Sequence, residues 1–252
     1  MLVDDLRRNG LGKGAEHFLP VFDSGASSAD PVLDAIYQRG TDADGVFCVK
    51  VMADYAGNAD RLLGGDPHSP DVWPALHTHF ADALWIRIER RNLVRQAFSR
   101  LAVKASNIQH AVASDRGFRP GGGRVTVGTP ETHGAELNVD RGAVRRVVAD
   151  IATENAAWEA FFDRHGIAPV RLIYEDIETD LSYITRLRAM LGLPEQPVET
   201  GRNLLKLANA QTEKAYQAYL RGWMEDTSPA KQDGAKTRRH GDRPRSFWRS
   251  LL

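Results

Sequence analysis

The chain has 252 residues, 42% hydrophobic and 26% charged, an ordinary balance for a soluble protein of one large domain or two small ones. Its 33 basic and 33 acidic residues cancel, so no global charge draws it to nucleic acid. A lone cysteine excludes an internal disulfide, no apolar run reaches the ~18 residues of a membrane span, and charges from the fourth residue exclude a secretory signal, so a cytoplasmic protein is expected.

"MLVDDLRRNGLG" reads as a short helix in which Leu2 and Leu6 share a face and Asn9-Gly10 is the stop. "GAEHFLPVFD" reads as loop with some extended character. "DPVLDAIYQRG" predicts a helix, with Asp30 as N-cap, Pro31 in the first turn and Gly40 at the end. "GVFCVKVMA" has the continuous apolar, β-branched character of a strand buried on both faces, with Cys48 packed as a small hydrophobe and Lys50 an unexpected charge. "ADRLLGG" closes another short helix, and His77 and His79 are assigned to a loop. A strand around Leu84–Ile88 leads into a helix from about Leu93 that runs past Ile108. "RGFRPGGGRVTVGTPETHG" is a glycine- and proline-rich excursion, expected to be mobile or to close over something. From Val139 to His165 the apolar residues keep helical spacing until Gly166. "APVRLIYED" is another buried strand, "LSYITRLRAMLGLP" a helix ended by Gly192 and Pro194, and "RNLLKLANAQTEKAYQAYLRGW" a last helix. The expected division is one domain over residues 1–227 and a basic, disordered tail over 228–252.

Short apolar strands alternating with helices argue for an α/β fold around a parallel sheet. In such sheets ligands sit at the carboxyl ends of strands, where free N–H groups at a helix start favour an anion. Arg90 and Arg91 stand at that junction, and Arg91, Arg95 and Ser99 recur every four residues along one slanting helix face. A guanidinium fork with a hydroxyl two turns on suits a phosphate. A surface arginine patch paired with Glu89 and other acids explains the same spacing equally well. His77 and His79 lack further ligands at metal spacing, so no metal site is expected. "GLGKG" at 10–14 follows a helix and lacks the Walker pattern, which also weakens a kinase reading.

"RRNLVRQAFS" resembles the 3′-phosphate-binding segment of sulfotransferases, with Arg91 and Ser99 in the matching places. More narrowly, the chain resembles the bacterial carbohydrate sulfotransferases typified by trehalose 2-sulfotransferase, whose "RRD-K-x-RQAxS" pattern recurs here with Asn92 for the aspartate. "GVFCVKVM", "VRLIYEDI" with its downstream "LGLP", and "GAEHF" are similar to three further family segments, in the family's order.

The resemblance implies a three-layer sandwich around a parallel sheet, the P-loop-NTPase-like sulfotransferase fold. It implies transfer of a sulfuryl group from 3′-phosphoadenosine 5′-phosphosulfate to a carbohydrate or glycolipid, without a metal. Arg91 and Ser99, helped by Arg90 and Arg95, then bind the donor, and Glu16 is the general base. His17 assists Glu16 or packs, and Lys50 neutralises donor phosphates or reaches water. Some family members are dimers, so a homodimer is open. The tail is either solvated or in weak contact with an anionic membrane surface. Met1-Leu2-Val3 aligns with the helix that follows the family's first strand and 5′-phosphosulfate loop. The resemblance therefore implies that the first strand is missing from this sequence, and two expectations compete. Either the chain starts at an internal methionine, or it is a non-catalytic relative that keeps the 3′-phosphate site or a partner.

Overall fold

Asp4 and Asp5, two acids in the first turn of α1 (Leu2–Arg8), are fully buried. The computed structural model describes residues 1–22, 28–116, 124–131, 133, 134, 137 and 140–227, the side chains of 224–227 excepted. The basic tail and the centre of the glycine-rich excursion lie outside these residues.

A buried carboxylate must have its oxygens engaged, because desolvation costs several kcal/mol per ion. Asp4 accepts from the backbone N–H groups of Asn203 and Leu204 at 2.6 and 2.9 Å. Asp5 accepts from Arg202 Nε and Nη2 at 2.7 and 2.9 Å and from the Tyr183 hydroxyl at 2.7 Å. These bonds tie α1 to a segment almost two hundred residues later. Leu6 and Leu11 complete the anchor by packing with Leu172, Ile177, Ile184 and Leu187.

Beyond α1 the chain turns at Gly10 and Gly12, both with positive φ. A Cβ on Gly12 would lie 2.5 Å from Cys48 Cβ, so this glycine permits close backbone approach. That approach corrects the expected strand over "GVFCVKVMA". The run is extended but belongs to no strand, and Val46–Val51 are half-buried. It lies against the preceding loop and the end of a helix rather than between two strands. Cys48 N–H donates to Gly40 O at 3.1 Å and Lys50 N–H to Ala15 O at 2.8 Å.

One helical turn, α2 (Leu19–Phe22), occupies the expected loop. Then α3 (Ala29–Gly40), with Ser28 rather than Asp30 at the N-cap position, and α4 (Ala53–Leu62) pack around Phe18, Val32, Ile36, Leu76 and Phe161. His77 and His79 lie in α5 (Pro74–His79), not in a loop, because Pro74 opens a helical turn there.

Strand β1 (Ile86–Glu89) pairs in parallel with β4 (Val170–Ile173), in register from Ile86↔Val170 to Glu89↔Ile173. Helix α6 (Leu93–Ser106) follows β1 and ends before Asn107, whose φ of 53° stops it short of Ile108. A second sheet runs β3-β2-β5, with β2 (His110–Val112) parallel to β3 (Val125–Val127) and antiparallel to β5 (Leu204–Leu205). The described residues thus form a mixed α/β fold with a small parallel sheet, β1-β4, and a second sheet of mixed direction. The long α7 (Arg141–His165) is capped by Asp140, which accepts from Gly142 and Ala143 N–H, and is ended by Gly166. After β4 come α8 (Tyr174–Ile177), α9 (Ser182–Met190) and α10 (Ala210–Thr227). The last helix begins eight residues later than expected. Asp4 and the β2 ladder claim residues 203–205, and Asn209 then caps α10 by accepting from Gln211 and Thr212 N–H. No helix among the described residues is long and apolar enough to cross a membrane.

Candidate functional site

Where β1 ends, Asn92 takes the N-cap of α6 and its side chain accepts from Arg95 N–H at 2.9 Å. Arg90 and Arg91 therefore fill the two positions between strand end and helix start. Residue-by-residue pairing of β1 with β4 sets the turn after β4 beside them. Arg91 Nη1 and Nη2 donate to the two oxygens of Asp176 at 2.7 and 2.6 Å, and Arg91 N–H donates to Glu175 at 3.2 Å. Arg90 lays its guanidinium 3.7 Å from the centre of the Tyr174 ring. One turn on, Arg95 donates to Glu213 of α10 at 2.5 and 3.1 Å and stacks 4.2 Å over Tyr216. Ser99 is exposed and its hydroxyl bonds to none of the described residues. Glu89 meets Arg171, not the neighbouring arginines, so the acids facing this cluster come from α8 and α10.

A second cluster forms where the extended run crosses the loop after α1. Lys50 Nζ donates to Glu16 Oε1 at 2.7 Å, with the lysine stem held by its backbone, whose carbonyl accepts the Tyr55 hydroxyl at 2.9 Å. His17 is buried and its Nε2 lies 2.7 Å from Lys13 O, so it packs beneath the loop. Burial lowers its pKa, which keeps it neutral.

One group near this pair carries no sequence signal beyond its identity. His110, first residue of β2, is held neutral: burial pushes its pKa down to about 4, the Lys50 charge adds to that, and Glu16 opposes it. A histidine opening a three-residue strand has no motif around it. Asp54, in the first turn of α4, has its pKa raised by burial and by the charges of Glu154 and Glu16. Arg100 of α6 and Glu154 of α7 form a bidentate pair beside it.

The structure therefore brings Glu16 to Lys50 and sets Arg90 and Arg91 against the turn after β4. Arg95 turns toward α10, and His17 meets the Lys13 carbonyl. Among the described residues no group of three or more His, Cys, Asp or Glu side chains is placed to hold a metal ion. His77 stacks on His165 at 4.3 Å, and His79 bonds Leu63 O.

A family model described as Stf0 sulphotransferase matches residues 15–221. The chain belongs to this sulphotransferase family. The match begins one residue before Glu16 and ends within α10, so both clusters of this sulphotransferase domain lie inside it. No curated protein matches the chain.

Proposed function

We propose that the chain transfers a sulfuryl group from 3′-phosphoadenosine 5′-phosphosulfate to a hydroxyl of a carbohydrate or glycolipid, on the three-layer sulfotransferase fold. The observation that carries this reading is the family match together with Arg91 at the β1–α6 junction and Ser99 two turns along the same helix. Arg91 and Ser99 take the donor's 3′-phosphate, with Arg90 and Arg95 supplying further positive charge.

In the reaction the acceptor oxygen forms a bond to sulfur as the bond from sulfur to the 5′-phosphate oxygen breaks. The bisphosphate leaves with the extra negative charge, and the acceptor proton passes to Glu16. Lys50 exchanges that carboxylate for the departing phosphate once Glu16 has taken the proton, a role supported by its 2.7 Å bond to Glu16. His17 supports the loop that carries Glu16.

The test is transfer of labelled sulfate from the donor to a panel of mono-, di- and glycolipid sugars. Product that disappears in Glu16→Gln supports the reading. Tight binding of adenosine 3′,5′-bisphosphate with no product from any acceptor supports a non-catalytic nucleotide-binding relative instead.

A further inference from the structure

At the β1–α6 junction three N–H groups of Arg91, its backbone N–H and one on each Nη, are already engaged. Its backbone N–H reaches Glu175 Oε2 at 3.2 Å, and its fork reaches Asp176 Oδ1 and Oδ2 at 2.7 and 2.6 Å. Two adjacent carboxylates thus present two negative charges and three accepting oxygens to one arginine, the charge and acceptor count of a phosphomonoester.

We infer that the Glu175–Asp176 pair is a resident phosphate mimic, which the nucleotide's 3′-phosphate displaces from Arg91 in order to bind. The inference rests on the 3′-phosphate role proposed above for Arg91. It makes Asp176 a specificity-determining residue: a ligand without a second phosphate gains nothing by competing for the fork, whereas a phosphomonoester brings an equal charge plus the bond to Ser99.

Three features of the fold fit a displaceable pair. The ion pair is exposed, with 58% of the Arg91 side chain and 54% of the Asp176 side chain accessible, so water screens it and its disruption is cheap. The acids are held by their own turn, with Asp176 O accepting from Thr179 and Asp180 N–H at 3.2 and 3.0 Å, so α8 keeps its shape without the arginine. Arg90 stacks on Tyr174 beside them and forms no ion pair with the described residues, which leaves a cation to receive a displaced carboxylate. A buried acid placed solely to orient Arg91 would show the opposite exposure.

The experiment is calorimetric titration of the full chain with adenosine 3′,5′-bisphosphate and with adenosine 5′-monophosphate, for wild type, Asp176→Asn and Glu175→Gln. Asp176→Asn is expected to bind the bisphosphate about fivefold tighter, the size of one exposed ion pair, with monophosphate affinity unchanged. Glu175→Gln, which leaves the fork pair intact, is expected to gain less in the same direction and stands in if the first variant fails to fold. Unchanged or weaker bisphosphate binding in the folded variants, with wild-type binding intact, overturns the mimic and makes Asp176 a positioning residue. Absence of bisphosphate binding in all three chains removes the nucleotide reading itself, and the mimic with it.

Discussion

Lys50 and Glu16, 34 positions apart in the chain, form a half-buried ion pair at 2.7 Å, and each is the other's counter-ion. This bond joins the loop after α1 to the run before α4, beside the backbone bond from Lys50 N–H to Ala15 O. Replacing Glu16 by Gln keeps the shape and removes the proton acceptor, so sulfuryl transfer is expected to fall by about 10²–10⁴-fold with little change in melting temperature. Lys50→Met is expected to lower kcat in the same assay, and Lys50→Arg to restore part of it, since charge rather than shape is what the leaving phosphate needs.

Stability is expected to hinge on Asp5. Its carboxylate is 1% exposed and carries the Arg202 guanidinium and the Tyr183 hydroxyl. Asp5→Ala leaves Arg202 with its charge uncompensated inside the fold, at a cost of about 3–5 kcal/mol. Chemical denaturation of the variant should show a midpoint shift of that size, and its 202–204 segment should lose hydrogen-exchange protection first.

Gly12 tests how the Glu16 loop is seated. With φ at 85° and a Cβ placed 2.7 Å from the Cys48 backbone nitrogen, Gly12→Ala must push the extended run away. The expected result is a loss of about 2–4 kcal/mol in stability together with reduced transfer, because Lys50 leads from the same run. A variant with wild-type melting and activity would show that the close approach is not needed.

Acid should destabilise the fold through His110. Its folded pKa of about 4 lies below the ordinary histidine value near 6.5, so the unfolded chain binds the proton more readily. The stabilisation is complete above about pH 6.5 and is lost as pH falls toward 4. At about 1.4 kcal/mol per unit, screened at a half-buried ring, the loss attributable to His110 is about 1–2 kcal/mol. His17 and His133, also lowered by burial, act in the same direction. Melting curves between pH 7 and 4 should therefore flatten, though not level, in His110→Gln.

How much of this was legible beforehand depended on element length. α7 announces itself through twenty-five residues of one apolar stripe between Asp140 and Gly166, and β1 and β4 through short apolar runs ahead of helices. β2, β3 and β5 span three, three and two residues, too few for an alternating pattern to register. The run from Val46 to Val51 carries the composition of a strand, but composition cannot say whether strands lie on either side of it. At the site, the four-residue spacing put Arg95 and Ser99 together on α6, whereas Arg91 precedes the N-cap Asn92 and stands in the turn before the helix. Pairings across the chain were out of reach: Asp176 lies 85 positions from Arg91 and Glu213 lies 118 from Arg95, and only the sheet register and the docking of α10 bring them together.

The central claim is that Arg91 and Ser99 hold the 3′-phosphate of the donor nucleotide. Equilibrium binding of adenosine 3′,5′-bisphosphate, set against adenosine 5′-monophosphate, in wild type, Arg91→Gln and Ser99→Ala measures it most directly. The account predicts that the wild-type chain prefers the bisphosphate, and that each substitution erodes this preference by about tenfold or more while leaving the monophosphate unaffected. Equal affinity for the two nucleotides in the wild-type chain, or a preference that survives both substitutions, would contradict it.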